Sequence, residues 1–271
     1  MSTDTEQNQL ETKLATDRTR FIEICSKSKF FTENEARNLP HFNMTEIVIG
    51  PVLGIGGFCD VNEITSIRLE ERVTKEGQEY SELEDIYQAA EEQDDLEDIY
   101  QTAEEQDLHD TFNVKEARFY IAGNCYRDSN ARYAIKRLSD ELDKKKRGQG
   151  IFDLAIEAKF LSVVSHPNII KMRGTASGDP IRSDFFLILD RLYGTLEEKI
   201  LGEWKYQKNS NAGFCGGFYG VDKRKKKEFL LERMVNAYDL SSVFQHLHTK
   251  RLVYRDIKSD NIGFDIRVRY F

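Results

Sequence analysis

The chain has 271 residues, 32% of them charged, and a net charge of −8. That length allows one large domain or two modest ones with a sizeable core, and no apolar run approaches the roughly 20 residues needed to cross a bilayer, which excludes a membrane-spanning protein. The four cysteines, Cys25, Cys59, Cys125 and Cys215, are far apart and lack zinc-site spacing; they suit a reducing compartment, so a cytoplasmic location is expected, with the nucleus left open.

Residues 1–43 are polar apart from patches such as Phe21-Ile22 and Phe30-Phe31, and they lack the apolar stretch of a secretory signal. They read as an extension with room for a short helix. From Glu46 to Leu53 the chain turns β-branched and apolar, the mark of a strand. It runs into Gly54-Ile55-Gly56-Gly57-Phe58-Cys59-Asp60-Val61, and a second strand-like stretch follows, Asn62 to Ile67. Glycines in such a loop let backbone N–H groups approach phosphate oxygens. Taken alone, the loop reads equally as a plain hairpin.

An insertion over residues 70–113 carries the acidity. Between Ser81 and Asp110 lie 13 Asp or Glu and no Lys or Arg; without them 34 acidic residues face 39 basic ones, a net +5. Leu83 to Asp94 recurs as Leu96 to Asp107 with one change, Ala89 becoming Thr102. Each copy has a helical apolar stripe, but two copies are too few for a solenoid. A solvated acidic loop, a site for a basic partner, and phosphorylation of Tyr87 and Tyr100 are the readings open to it.

The fold is expected to resume with a hairpin, Ala117 to Ala122 and Ala131 to Leu138, turning at Arg127 to Asn130. Lys136 stands near the end of its second strand. After a basic solvated run, Lys144 to Arg147, a helix is predicted from Phe152 to Val164. Leu154, Ala158 and Leu161 share one face, and His166-Pro167-Asn168 closes it. Ile169 to Met172 and Phe185 to Asp190 read as two more antiparallel strands. A second inserted loop spans Asn209 to Lys227; its run Lys223 to Lys227 has no aromatic pattern beside it, so nucleic acid is not an expected partner. Leu230, Met234, Ala237, Leu240, Phe244 and Leu247 then mark a long amphipathic helix.

It ends just before Tyr254-Arg255-Asp256-Ile257-Lys258-Ser259-Asp260-Asn261. An Asp with a Lys two places on and an Asn five places on is what phosphoryl transfer to a hydroxyl would use. The Asp accepts the hydroxyl proton, the Lys sits against the moving phosphate, and the Asn oxygen helps hold a metal ion.

This string resembles the catalytic loop H-R-D-L-K-x-x-N of eukaryotic protein kinases, with Tyr254 in place of the His, and Lys258 points to the serine/threonine branch. The Gly54–Val61 loop is similar to the family's G-x-G-x-x-G-x-V, with Cys59 at the third glycine. Tyr133-Ala134-Ile135-Lys136 resembles V-A-I-K. The resemblance implies an α+β, protein-kinase-like two-lobe fold: a small lobe over 44–190 and part of a large lobe over 191–271. It implies ATP and Mg²⁺ as cofactors and a protein substrate. Gly54, Gly56, Gly57, Val61, Ala134 and Lys136 would contact the nucleotide, Glu157 would pair with Lys136, and Leu189, Asp190 and Leu192 would form the border and hinge of the adenine site. Asp256 and Lys258 would be catalytic and Asn261 a metal ligand. The ten residues after Asn261 do not spell D-F-G, so a chain cut short and inactive as it stands is expected. The alternative is a non-catalytic, kinase-like nucleotide-binding or interaction module.

Overall fold

The computed structural model describes residues 2–69, 114–127, 130–205 and 223–265. The acidic repeat lies outside the described residues. Among them, no helix is long and apolar enough to cross a membrane.

Six strands form one sheet in the spatial order β1-β7-β8-β6-β3-β2. They are β1 (His41–Phe42), β2 (Ile47–Ile55), β3 (Cys59–Ile67), β6 (Tyr133–Leu138), β7 (Met172–Ala176) and β8 (Phe186–Asp190). The β1–β7 pair is parallel and the other pairs are antiparallel. A short ribbon, β4 (Tyr126–Arg127) with β5 (Asn130–Ala131), stands apart.

The main core lies on this sheet, where Ile64, Ile135, Leu187 and Ile188 are wholly buried. Against it packs helix α4 (Lys144–Val163), through Leu154, Ala158 and Leu161, the face read from its sequence. The helix begins earlier than expected. Asp143 accepts from the Lys145 N–H as N-cap, at 3.0 Å, so the basic run that looked like a loop is its first turn.

The extension before residue 44 is more than a polar tail. Helices α1 (Ser2–Lys27) and α2 (Lys29–Glu33) lie beside α4, and β1 joins the sheet with Phe42 completely buried. The strand expected at Ile169–Met172 is displaced to Met172–Ala176 because β1 fixes its register, Phe42 opposite Ala176. Gly174 makes that approach possible, since a Cβ there would stand 2.8 Å from the Phe42 ring and 2.9 Å from the Pro40 carbonyl oxygen.

The expected strand at Ala117–Ala122 is instead part of helix α3 (Val114–Gly123). Its aromatic and β-branched composition suggested a strand, but Ala117 and Ile121, four apart, are the residues it buries, which is helical spacing. Arg118 of α3 pairs with Glu46, whose side chain is fully buried, donates to the His41 carbonyl and lies over the Phe42 ring. Removing one partner of such a pair typically costs about 3–5 kcal/mol, so α3 is tied to the sheet.

Beyond β8 come α5 (Leu196–Lys199), continued by a wider turn over Ile200–Trp204, and the long α6 (Lys223–Thr249). The lysine-rich run assigned to a loop therefore opens α6. The helix ends where Arg251 takes a left-handed conformation, φ 58°. The Leu252 N–H then reaches the Leu247 carbonyl and the Arg251 N–H reaches that of His248, both at 2.9 Å, a C-terminal cap that turns the chain sharply.

Candidate active site

Cross-strand pairing sets the small-lobe half of the site. Val61, Lys136 and Leu187 lie in one row across β3, β6 and β8, and Glu63, Ala134 and Leu189 lie in the next. Directly paired residues share a face, so all six look the same way. Lys136 Nζ donates to both Glu157 oxygens, at 2.7 and 2.6 Å. That bond joins β6 to the middle of α4.

The glycine stretch forms the β2–β3 hairpin, closed by Gly56 N–H to the Cys59 carbonyl at 2.8 Å. Nothing within 4 Å would touch a Cβ at Gly54 or Gly57, so the space over the loop is open. Cys59 does not face that space. It is the first residue of β3, and its side chain packs on both core clusters beside the sheet. Burial pushes its thiol up to about 11. Phe58, at the tip of the hairpin, is half-buried with its Cβ facing Gly150 of α4.

The segment after β8 is fastened to the sheet by ion pairs that sequence reading missed. Asp190 binds the Arg173 guanidinium at 2.6 and 2.8 Å. Arg191 meets Glu63 at 2.7 Å, and Glu63 also accepts from the Tyr126 hydroxyl at 2.6 Å, which raises that phenol. The only sequence signal for this was a Glu inside a half-apolar strand. Leu192, past this fastening, is part-exposed.

The Asp256–Asn261 loop is held under Leu192 by backbone bonds. The Tyr193 N–H meets the Phe264 carbonyl at 2.7 Å, the Phe264 N–H meets that of Gly194 at 3.0 Å, and the Leu196 N–H meets that of Ile262 at 2.8 Å. Gly263 permits this, because a Cβ there would lie 2.5 Å from Leu192 Cδ1. Within the loop, Asn261 Nδ2 donates to the Asp256 backbone oxygen at 2.9 Å and to its carboxylate at 2.6 Å. Asp256 and Lys258 are exposed. That suits groups that must meet a second molecule.

Tyr254, two residues before Asp256, has its phenol raised by burial first and then by the Asp256 anion. Among the described residues, no three His, Cys, Asp or Glu side chains converge as a metal cluster. The Asn261 amide oxygen, whose own amide nitrogen is the atom turned to Asp256, fits a hard cation of the Mg²⁺ kind, which takes one or two protein oxygens and completes its shell with substrate phosphate and water.

The sheet with its flanking helix offers a Lys–Glu pair, and the loop after α6 offers an Asp–Asn pair. Residues 121–268, more than half of the chain, match the family model described as protein kinase domain. The chain belongs to the protein kinase family, and its fold is the α+β kinase fold. The glycine hairpin precedes the matched residues. The chain is also 28% identical over 139 residues to "Probable serine/threonine-protein kinase kinY" of Dictyostelium discoideum, a match that covers 50% of this chain and 21% of that protein.

Proposed function

We propose that this chain is a serine/threonine protein kinase domain that uses ATP and Mg²⁺ and acts on a protein hydroxyl. The observation that carries the reading is the Lys136–Glu157 ion pair on the sheet together with the Asp256–Asn261 pair in the loop, in a chain whose residues 121–268 match the protein kinase domain. In this reading residues 44–190 are the small lobe and 191–271 belong to the large one. Free thiols at Cys25, Cys59 and Cys125 fit a cytoplasmic setting, and the acidic insertion suits a basic partner.

Each role follows from what the side chain is free to do. The Gly54, Gly56 and Gly57 amides lie along the hairpin that would cover phosphate, and Val61, Ala134 and Leu189 offer an apolar face to a base. The main chain from Asp190 to Leu192 would bind its polar edge. Lys136 is held extended by Glu157 and brings positive charge to phosphate. Asn261 fixes the Asp256 carboxylate by its amide, so that carboxylate is aimed to take the proton of a substrate hydroxyl, and Lys258 adds charge at the same mouth. Mg²⁺, held in part by the Asn261 amide oxygen, would neutralise charge on the phosphates.

The test is calorimetric titration of the purified chain with Mg-ATP, followed by transfer of labelled phosphate to serine and tyrosine peptides. Lys136→Ala should weaken nucleotide binding by about tenfold or more, since a charge-assisted contact is worth about 1.5–3 kcal/mol. Asp256→Asn should leave binding intact and lower any transfer by about 10²–10⁴-fold, the usual worth of a general base. Equal Mg-ATP affinity in the parent and Lys136→Ala would sink the reading.

A further inference from the structure

The segment from α1 to β1 does something that the kinase site by itself does not require. It grips α4 on both sides of Glu157. On the N-terminal side, Arg20 lies over the Phe152 ring at 4.9 Å, and Phe21 packs on the cluster of Leu138, Ile151, Ala155 and Ile181. On the C-terminal side, the Phe30 ring lies 5.6 Å from that of Phe160, and Arg37 makes two bonds to the end of α4. Its N–H meets the Ser162 carbonyl at 2.8 Å and its guanidinium meets that of Leu161 at 2.7 Å.

The same segment also reaches α6. Phe30 joins the cluster of Val164, Val243 and Leu247, and Lys250 Nζ donates to Asn34 Oδ1 at 2.9 Å. Leu247 and Lys250 stand at the end of the helix that turns through Arg251 into the Asp256 loop. One continuous stretch of chain therefore touches the helix that carries Glu157 and the helix that delivers Asp256.

We propose that residues 20–37 are a positioning strap: they hold α4 against the sheet so that Glu157 meets Lys136, and they fix α4 relative to the helix leading into the Asp256 loop. None of these residues touches the reacting groups. They act through α4, and its register is what a competing partner or a modification of the strap would change. The functional consequence rests on the nucleotide reading of Lys136 given above; the mechanical statement does not.

The experiment uses the full chain with Phe30→Ala, Arg37→Ala and the exposed control Glu23→Ala, whose side chain pairs with Lys27 of its own helix. Hydrogen exchange of the α4 amides is the first readout, because local opening free energies appear there directly. Phe30→Ala and Arg37→Ala should each speed exchange across residues 150–163 by about tenfold, with β6 and β8 unchanged and Glu23→Ala like the parent. Phe30→Leu, which keeps an apolar contact with Phe160, should restore slow exchange. Unchanged α4 protection in both variants, with α1 and α2 exchanging freely, overturns the strap. So does loss of protection in β6 and β8 together with α4 in every variant, since that is general unfolding rather than release of one helix. Mg-ATP affinity is read separately: a loosened α4 with unaltered affinity supports the strap and counts against the nucleotide role of the Lys136–Glu157 pair.

Discussion

Two long helices, α4 and α6, were both read from apolar residues at helical spacing, and they end in opposite situations. Along α4 the stripe is covered from end to end, by the sheet on one side and by the N-terminal segment on another, so that Leu154 and Ala155 are essentially sealed. Along α6, among the residues whose burial is described, only Val243 and Leu247 are buried, while Leu230, Met234 and Tyr238 are 59%, 61% and 74% exposed. A stripe states what a helix can bury. Whether it is buried depends on which other elements reach it: α5 and the turn after it meet the first half of α6 through Glu232 and Arg233 and leave Leu230, Met234 and Tyr238 exposed.

The largest way to sharpen that contrast is a pair of matched truncations. Leu154→Ala should cost about 2–5 kcal/mol in urea unfolding, because it removes a core side chain and leaves a cavity. Met234→Ala, at an exposed site, should stay within about 0.5 kcal/mol. Comparable losses at the two positions would mean that the first half of α6 is covered in solution, and the contrast would fail.

The extent to which this molecule was legible follows the same line. The Asp256–Asn261 string stood out by the spacing of its own residues, Lys136 and Glu157 stood out only through resemblance to the family's motifs, and the covered face of α4 was visible as Leu154, Ala158 and Leu161. The strap was not visible. Its residues are mostly polar, and what holds it is the packing of Phe21, the Phe30–Phe160 contact and the Arg37 bonds, all to partners far away in sequence. The same cause moved β7: Gly174 inside a strand looks like a break until Phe42 is seen to need its space. At α3, Phe119-Tyr120-Ile121 has strand composition, and tertiary burial of Ala117 and Ile121 overrode it. The stripe on α6 was read correctly as helical, but the pattern alone does not say which part of it is buried.

A chemical probe tests the covered side at finer grain. Burial raises the Cys59 thiol from 9.0 to about 11, despite the opposing pull of Lys136. At pH 8 its thiolate should then be about a hundredfold scarcer than that of an unburied cysteine, and alkylation correspondingly slow. The rate should rise about tenfold per pH unit up to pH 10, and Cys125, raised to about 11 by the same cause, should behave alike. Mass spectrometry of iodoacetamide-labelled peptides reads both sites at once. A Cys59 rate equal to that of the urea-unfolded chain would show that this side of the sheet is open rather than packed.

The smallest effect is expected where the two helices meet, at His166 beyond the end of α4 and His246 on α6. Their rings lie 5.1 Å apart. Burial lowers both below the ordinary 6.5; His246 is lowered further by His166 and Lys250, whereas Asp239 pulls His166 partly back. A histidine with a depressed folded-state value binds fewer protons folded than unfolded. Its contribution is therefore complete above the unfolded value and is lost as pH falls through the folded one, which places the window below about pH 6.5. The chain should unfold at lower urea at pH 5 than at pH 7, and His246→Gln should flatten that difference by removing one ring of the pair. Both rings are partly exposed, so solvent screens their charges and the shift should be small beside that of Leu154→Ala. The direction is the informative part: an equal pH dependence in parent and His246→Gln would mean that the junction between α4 and α6 is not sealed by this pair, and that only the strap and the Phe160 side join the two helices.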